Sequence, residues 1–330
     1  MIGQWKIPAV VNRSQPKIPV AVVGCGYFGA RHAAIYAEHP SAQLVAIVDP
    51  CTEAQNIAEI HGAAWFKDID ELPSGVQAVS VAVPAQYHAE VGCRLLEREH
   101  HVLLEKPMAL NLSDADRLIG TAKRKGLVLQ IGYVERFNPA VAWVNREVSL
   151  PPVSLEFVRL GPPSERHSVL DVVLDSMIHD IDMALHWTGE SPCAIRADGS
   201  SVGGPITGVV SAEIEFPGGT SVRLTASQVS AERVRKVTIM TKRTCYIVDL
   251  LHGTVRTSGD FQRDLPVIGN VSSVSGKESV KSPLYREIDA FLRAVSLGLA
   301  SPVSGAEGRA ALAVAIEIST QIRSHARSVS

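Results

Sequence analysis

The chain has 330 residues, more than one ordinary domain holds and enough for about two. Hydrophobic residues make up 46% and charged residues 20%, near the globular average, which excludes a disordered or fibrous protein. With 32 Lys and Arg against 34 Asp and Glu the formal net charge is −2, so no basic field points to nucleic acid or anionic lipid.

Ile18–Val23 is a β-branched run, predicted as a strand. Gly24-Cys25-Gly26-Tyr27-Phe28-Gly29 follows at once and opens a helical pattern through Ala37. Leu44–Val48, Ala78–Val83, Val102–Leu104 and Leu127–Ile131 are further apolar runs, the first ending in Asp49, the second stopped by Pro84 and the third by Lys106-Pro107. Ser113–Lys125 reads as a helix capped by Ser113 and ended by Gly126. Continuous apolar strands with helices between them predict a parallel sheet covered on both faces. The first domain, 1–136, is therefore expected to be a doubly wound α/β unit.

The texture changes in the second domain, 137–330. Val153–Leu160 reads as a strand and Val169–Trp187 as the strongest helix. Val209–Phe216, Ser221–Val229, Val234–Met240 and Cys245–Leu250 are strand-like, with Pro217-Gly218-Gly219 as a hairpin connection. Leu284–Val295 and Gly305–Arg323 return to helix, and 257–282 is expected to be an exposed loop. An α+β domain with one large, mainly antiparallel open sheet fits this order.

Cys25, Cys51, Cys93, Cys193 and Cys245 are odd in number, widely spaced and without a CxxC, neither a disulfide framework nor a structural zinc site. The start lacks the apolar run of a signal peptide, and no stretch approaches the ~18 apolar residues of a membrane span. A soluble protein of the cytoplasm is expected, with no membrane partner.

The glycine cluster ends a predicted strand and opens a predicted helix, and Asp49 closes the next strand 20 residues after Gly29. That is a complete dinucleotide fingerprint. Gly24 permits the tight turn, Gly26 lets the backbone approach a pyrophosphate, and Gly29 lets helix and strand pack closely. Asp49 would accept hydrogen bonds from the adenosine ribose. Its charge repels a 2′-phosphate, and Pro50-Cys51-Thr52 supplies no base, so NAD is expected rather than NADP.

Two further features carry chemistry. Glu105-Lys106-Pro107 stands at the carboxyl end of a parallel strand, where open α/β sheets bind ligands. Lys106 there could hold a developing alkoxide, although alone it reads more readily as a surface lysine before a turn. In the helix after 169, Asp171, Asp175, His179, Asp182 and His186 fall on one stripe at ~100° per residue, between apolar flanks. Asp175 and His179 form an i,i+4 pair that could orient an imidazole base. Asp171 reads first as a cap of the helix. The stripe could also ligate zinc or manganese, but an imidazole base suffices and no metal is expected. Arg233 and Arg235 share a strand face and could grip a diphosphate, or form a solvated edge.

Together Val20–Gly29, Pro84-x-x-x-His88, Glu105-Lys106-Pro107 and Asp175-x-x-x-His179-Asp180 resemble the Gfo/Idh/MocA oxidoreductases, over essentially the whole chain. The resemblance implies Lys106, Asp175 and His179 at the reacting hydroxyl. It implies cofactor contacts at Gly24, Gly26, Tyr27, Phe28, Gly29, Asp49, Pro84, His88, Glu105 and Lys106. It also implies a homodimer or homotetramer through the C-terminal sheet. Gly132–Pro139, containing Arg136 and Asn138, is similar to the subgroup that oxidises the 3-hydroxyl of UDP-N-acetylglucosamine ahead of an aminotransferase, in lipid A type amino-sugar synthesis. Arg136 and Asn138 are accordingly expected at the substrate. Another sugar or cyclitol dehydrogenase, or a non-catalytic regulator that keeps the dinucleotide site, are the competing readings.

Overall fold

A computed structural model describes residues 16–163, 171–201, 207–258, 263–266 and 282–328. The first sheet contains β1 (Ile18–Val23), β2 (Ala42–Val48), β3 (Ala64–Phe66), β4 (Ala78–Val81), β5 (His101–Glu105) and β6 (Leu129–Gly132). Its helices are α1 (Tyr27–Glu38), α2 (Glu53–Ile60), α3 (His88–Glu97) and α4 (Leu112–Lys125). The strands run parallel in the order β3-β2-β1-β4-β5-β6, the doubly wound arrangement expected, with the short β3 as an addition. Alternate residues serve opposite cores. Ala21, Val23, Val79 and Leu104 join one cluster, while Val20, Val22, Ala78 and Leu103 join the other. Strand order reverses between β2 and β4 on either side of β1, so a crevice opens at the carboxyl ends of β1 and β4.

The second half of the chain adds α5 (Pro139–Glu147), β7 (Ser154–Leu160), α6 (Ile178–Thr188), β8 (Ala194–Ser201), β9 (Thr207–Glu215) and β10 (Ser221–Ser227). It continues with β11 (Val234–Met240), β12 (Cys245–Asp249), β13 (Thr254–Ser258), β14 (Arg263–Pro266), α7 (Pro283–Leu297) and α8 (Gly305–Ser328). An eight-stranded sheet, ordered β14-β13-β12-β11-β7-β10-β9-β8, is antiparallel except where β7 pairs β10. The two terminal helices bind the halves together. Leu284, Ile288 and Phe291 of α7 complete the core over β1 and α1. The last helix, α8, packs on α4 and β6 as well as on α6 and β8.

Three local expectations change. α4 begins one residue early, because Asn111 rather than Ser113 caps it, accepting from Asp114 N at 2.9 Å. The stretch expected as a loop contains the end of β13 and all of β14; its remaining residues, 259–262 and 267–281, lie outside those described. The helix expected from Val169 starts, among described residues, after Asp171; 169 and 170 are not described, and its far end extends to Thr188. All five cysteines are free, and no described helix is long and apolar enough to cross a membrane.

Candidate active site

The loop after β1 has room only for glycine at two points. Gly24 has φ 85°, and a Cβ there would lie 2.6 Å from the Ala82 carbonyl carbon; one on Gly29 would lie 1.8 Å from Gly24 O. A Cβ on Gly26 would meet nothing within 4 Å, so this face of the turn is open. Gly26 N-caps α1 and no side chain caps the helix, which leaves its first amides and the positive end of its dipole facing the crevice. Tyr27 and Phe28 stand exposed beside it, edge to face at 5.2 Å. Asp49 accepts from Cys25 N at 2.6 Å and Cys51 N at 2.8 Å, one amide per carboxylate oxygen. Each oxygen keeps a lone pair for a ribose hydroxyl. This cradle fits the adenosine diphosphate half of NAD.

Across the switch point, Phe28, Pro84, His88, Glu105, Lys106 and Asp175 line a cleft of about 270 Å³. His88, 2% exposed, faces two backbone carbonyls, Pro107 O at 2.7 Å and Val83 O at 2.9 Å. It therefore stands between the loop after β4 and the loop after β5, and the one N–H of the neutral ring can donate to either carbonyl. Burial chiefly pulls its pKa down. Lys106 Nζ donates to Asp175 O at 2.5 Å and Oδ1 at 3.0 Å. An ammonium has three N–H bonds, so one remains for a substrate oxygen. Asp175 Oδ2 accepts from Gln228 Nε2 at 2.9 Å, a partner the sequence did not suggest.

The Asp/His stripe does not survive as one face. A π-helical turn over Val173–Met177 precedes α6 and interrupts the regular 100° spacing. Asp175 is turned to Lys106, and Asp171 caps the turn through Val173 N at 3.1 Å and Leu174 N at 3.0 Å. Asp182 goes to Arg136, in a bidentate pair at 2.6 and 2.9 Å. The expected Asp175–His179 hydrogen bond is absent: His179 Nδ1 is buried without a partner. Burial, then Lys106, Arg159 and Arg235, hold the His179 pKa well below the ordinary histidine value. Its ring meets Tyr133 edge to face at 6.0 Å, and the Tyr133 hydroxyl is likewise buried without a partner.

Two residues expected at the substrate are committed elsewhere. The Arg136 side chain, 6% exposed, is held by Asp182 and by Glu307 at 3.2 Å. Asn138, 2% exposed, caps α5 through Ala140 N at 3.0 Å and donates to Glu135 Oε2 at 3.1 Å and Leu250 O at 2.9 Å. Arg136 Nε and Nη2 and both polar atoms of the Asn138 side chain are thus engaged by the protein itself. Arg233 and Arg235 do not share a strand face either, because Arg233 precedes β11 and is exposed. Arg235 faces inward with Val237 and Ile239.

Opposite Arg235 in register stands Arg159, which the sequence reading passed over. Arg159 holds Asp180 at 2.9 and 2.7 Å and Glu135 at 3.1 Å, and Arg235 reaches the same Glu135 oxygen at 3.4 Å. The signal was present: Arg159 shares the phase of Leu155 and Phe157, the buried face of β7. The two arginines of this cluster both act on His179. The side chains close enough together to share a metal are, among described residues, not in the Asp/His helix but His32, Glu105 and Glu287.

A Rossmann sheet with a dinucleotide cradle, opening on a cleft lined by Lys106 and Asp175, defines an NAD-dependent oxidoreductase acting on a CH–OH group. Residues 18–133 match the model described as oxidoreductase family, NAD-binding Rossmann fold, and residues 164–247 match the GFO/IDH/MocA C-terminal domain. The chain belongs to the Gfo/Idh/MocA family. It is 32% identical over 299 residues to the UDP-N-acetylglucosamine 3-dehydrogenase of Acidithiobacillus ferrooxidans, covering 90% of this chain and 95% of that protein. The solved structure of that enzyme superposes with a TM-score of 0.86 at 30% identity, covering 94% of this chain and 99% of the other. The scyllo-inositol 2-dehydrogenase of Bacillus subtilis is 27% identical over 258 residues, 72% of this chain and 75% of that protein.

Proposed function

We propose that this sugar dehydrogenase oxidises the 3-hydroxyl of UDP-N-acetylglucosamine to the 3-keto nucleotide sugar. The observation that carries the chemistry is His179, buried and held neutral beside the Lys106 ammonium. Gly24, Gly26, Tyr27, Phe28 and Gly29 hold the pyrophosphate, Asp49 the ribose, and Pro84, His88 and Glu105 shape the nicotinamide end. NAD, when bound there, accepts the hydride. His179 takes the hydroxyl proton as general base, and the remaining Lys106 N–H steadies the charge developing on that oxygen. Asp175 holds the lysine in place. Arg235 faces the same side and is half exposed, which leaves guanidinium edge for a diphosphate oxygen.

The nucleotide-sugar assignment is supported by the 32% identity along nearly the whole of the Acidithiobacillus enzyme. The product would feed an aminotransferase, in synthesis of lipid A type amino sugars in the cytoplasm. Assembly into dimers or tetramers through the outer face of the eight-stranded sheet belongs to the same reading, since Ser221 and Arg223 of β10 leave that face open. Reduction of NAD with a panel of UDP-sugars, inositols and free sugars tests it. A keto product of UDP-N-acetylglucosamine in the mass spectrum supports the proposal, and turnover of inositols alone rejects it.

A further inference from the structure

Beneath the loop that carries Lys106 lies a buried polar group drawn from four elements: His32 and Tyr36 of α1, Ser80 of β4, Glu105 of β5 and Glu287 of α7. Tyr36 Oη lies 2.8 Å from Ser80 Oγ, Ser80 Oγ 3.0 Å from His32 Nδ1, and His32 Nε2 3.2 Å from Glu105 Oε1. One direction of donation satisfies the whole chain. Tyr36 donates to Ser80, Ser80 to Nδ1, and Nε2–H to Glu105, so the imidazole is neutral and Glu105 is the accepting carboxylate. The second oxygen of Glu105 accepts from Lys106 N at 3.2 Å.

Glu287 stands outside this chain. It is 0% exposed, and neither of its oxygens has a hydrogen-bond partner. Yet its carboxylate lies within 4.8 Å of ligand atoms of both Glu105 and His32. Two ionised carboxylates so close in a dry interior would repel strongly. The charged and titratable groups that face the pair are His32, Tyr36, His88 and Lys106. His32, Lys106 and His88 all favour the ionised form of Glu105, whereas Glu287 is acted on by burial and by the Glu105 charge; Lys106 is already shared with Asp175.

We propose that Glu287 is an un-ionised carboxylic acid whose O–H donates to Glu105, closing the network and positioning the Glu105–Lys106 loop from α7. Burial and the Glu105 charge both push the Glu287 pKa well above the ordinary carboxyl value, in agreement. One proton thereby meets the demands of Glu287 and limits the buried charge to a single carboxylate. A divalent cation on the same three side chains would also cancel charge. It would need the Nε2 lone pair, which the donor chain from Tyr36 replaces with an N–H.

The kinetic part of this inference rests on Lys106 acting at the substrate, but the protonation state does not. Infrared difference spectra of wild type against E287Q, in water and heavy water, read that state directly. The expected result is an un-ionised carboxyl C=O band that shifts in heavy water, vanishes in E287Q, and persists from mildly acidic to mildly alkaline solution. E287Q, whose amide N–H can replace the acid O–H, should retain turnover within about threefold. E287L, which has no donor, should lose about tenfold in kcat with KM for NAD little changed, the cost of one buried hydrogen bond. Absence of the band overturns the proposal. So does one tightly held divalent metal per wild-type chain by elemental analysis, or an E287Q defect as deep as that of E287L. Should E287L not fold, the band in wild type against E287Q decides alone.

Discussion

Lys106 Nζ sits 3.0 Å from Asp175 Oδ1, joining the end of β5 to the π-helical turn that precedes α6. The lysine is thereby aimed across the domain junction by a carboxylate that gives up its place beside His179. Lys106→Met should keep NAD binding while turnover falls more than ~100-fold, the size expected for an interaction made chiefly in the transition state. Cofactor titration and steady-state kinetics check both halves, and near-normal turnover would remove Lys106 from the reaction.

Asp175→Asn should do less harm, about tenfold in kcat, because the Asp175 carbonyl still accepts from Lys106. The double variant with Lys106→Met should be no worse than Lys106→Met alone, since Asp175 acts through the lysine. Additive losses would give Asp175 a separate role.

The pH dependence follows from His179. Its folded pKa is depressed, so the imidazole is already neutral through the ordinary histidine range. The acid limb of kcat should therefore lie well below 6.5, the unperturbed value from which it is shifted. His179→Asn should lower the maximal rate ~100-fold or more and abolish that limb. The same sign governs stability. His186, whose pKa burial and Arg136 pull down to about 4, and His88 are also depressed. Their unfolded forms bind protons first, so stability is whole above 6.5 and declines as pH falls from there toward about 4. Urea midpoints across that interval should decrease, and a flat profile would contradict the shifts.

Much of this was legible in the sequence because the Rossmann half obeys local rules. The run Val20–Val23, the turn at Gly24 and the carboxylate at Asp49 each follow from short-range sterics and hydrogen bonding. The second half was less legible for definite reasons. A π-helical turn rotates Asp175 off the stripe that regular spacing assigned to it, and nothing local in Val173–Met177 announces it. Arg136 and Asn138 read locally as substrate contacts, but their partners Asp182, Glu307 and Leu250 lie 46, 171 and 112 residues away. Such distant pairings are set by tertiary packing alone. Arg159, by contrast, was visible in the period of its strand.

Arg159 gives a prediction about stability. It is buried between Asp180 and Glu135, so Arg159→Met leaves two carboxylates facing each other with only Arg235 beside them. A loss of about 3–5 kcal/mol in denaturant unfolding is expected. A loss under about 1 kcal/mol would mean that the cluster is solvated.

Asp49 should set cofactor choice. Asp49→Ser with Cys51→Arg should shift the ratio of catalytic efficiencies toward NADP by removing a repelling charge and adding one that pairs with a 2′-phosphate. It also removes acceptors from the amides of Cys25 and Cys51, so some thermal stability should go with it. An unchanged ratio would show that the adenosine ribose does not meet Asp49.

The most direct test of the central claim follows the hydrogen itself. UDP-N-acetylglucosamine deuterated at C3 is incubated with the enzyme and NAD, and the nicotinamide ring is examined by NMR. Deuterium transferred to the ring, together with a 3-keto sugar, is the predicted result. Deuterium left on the sugar while NAD is reduced would place the oxidation at another carbon and contradict the account.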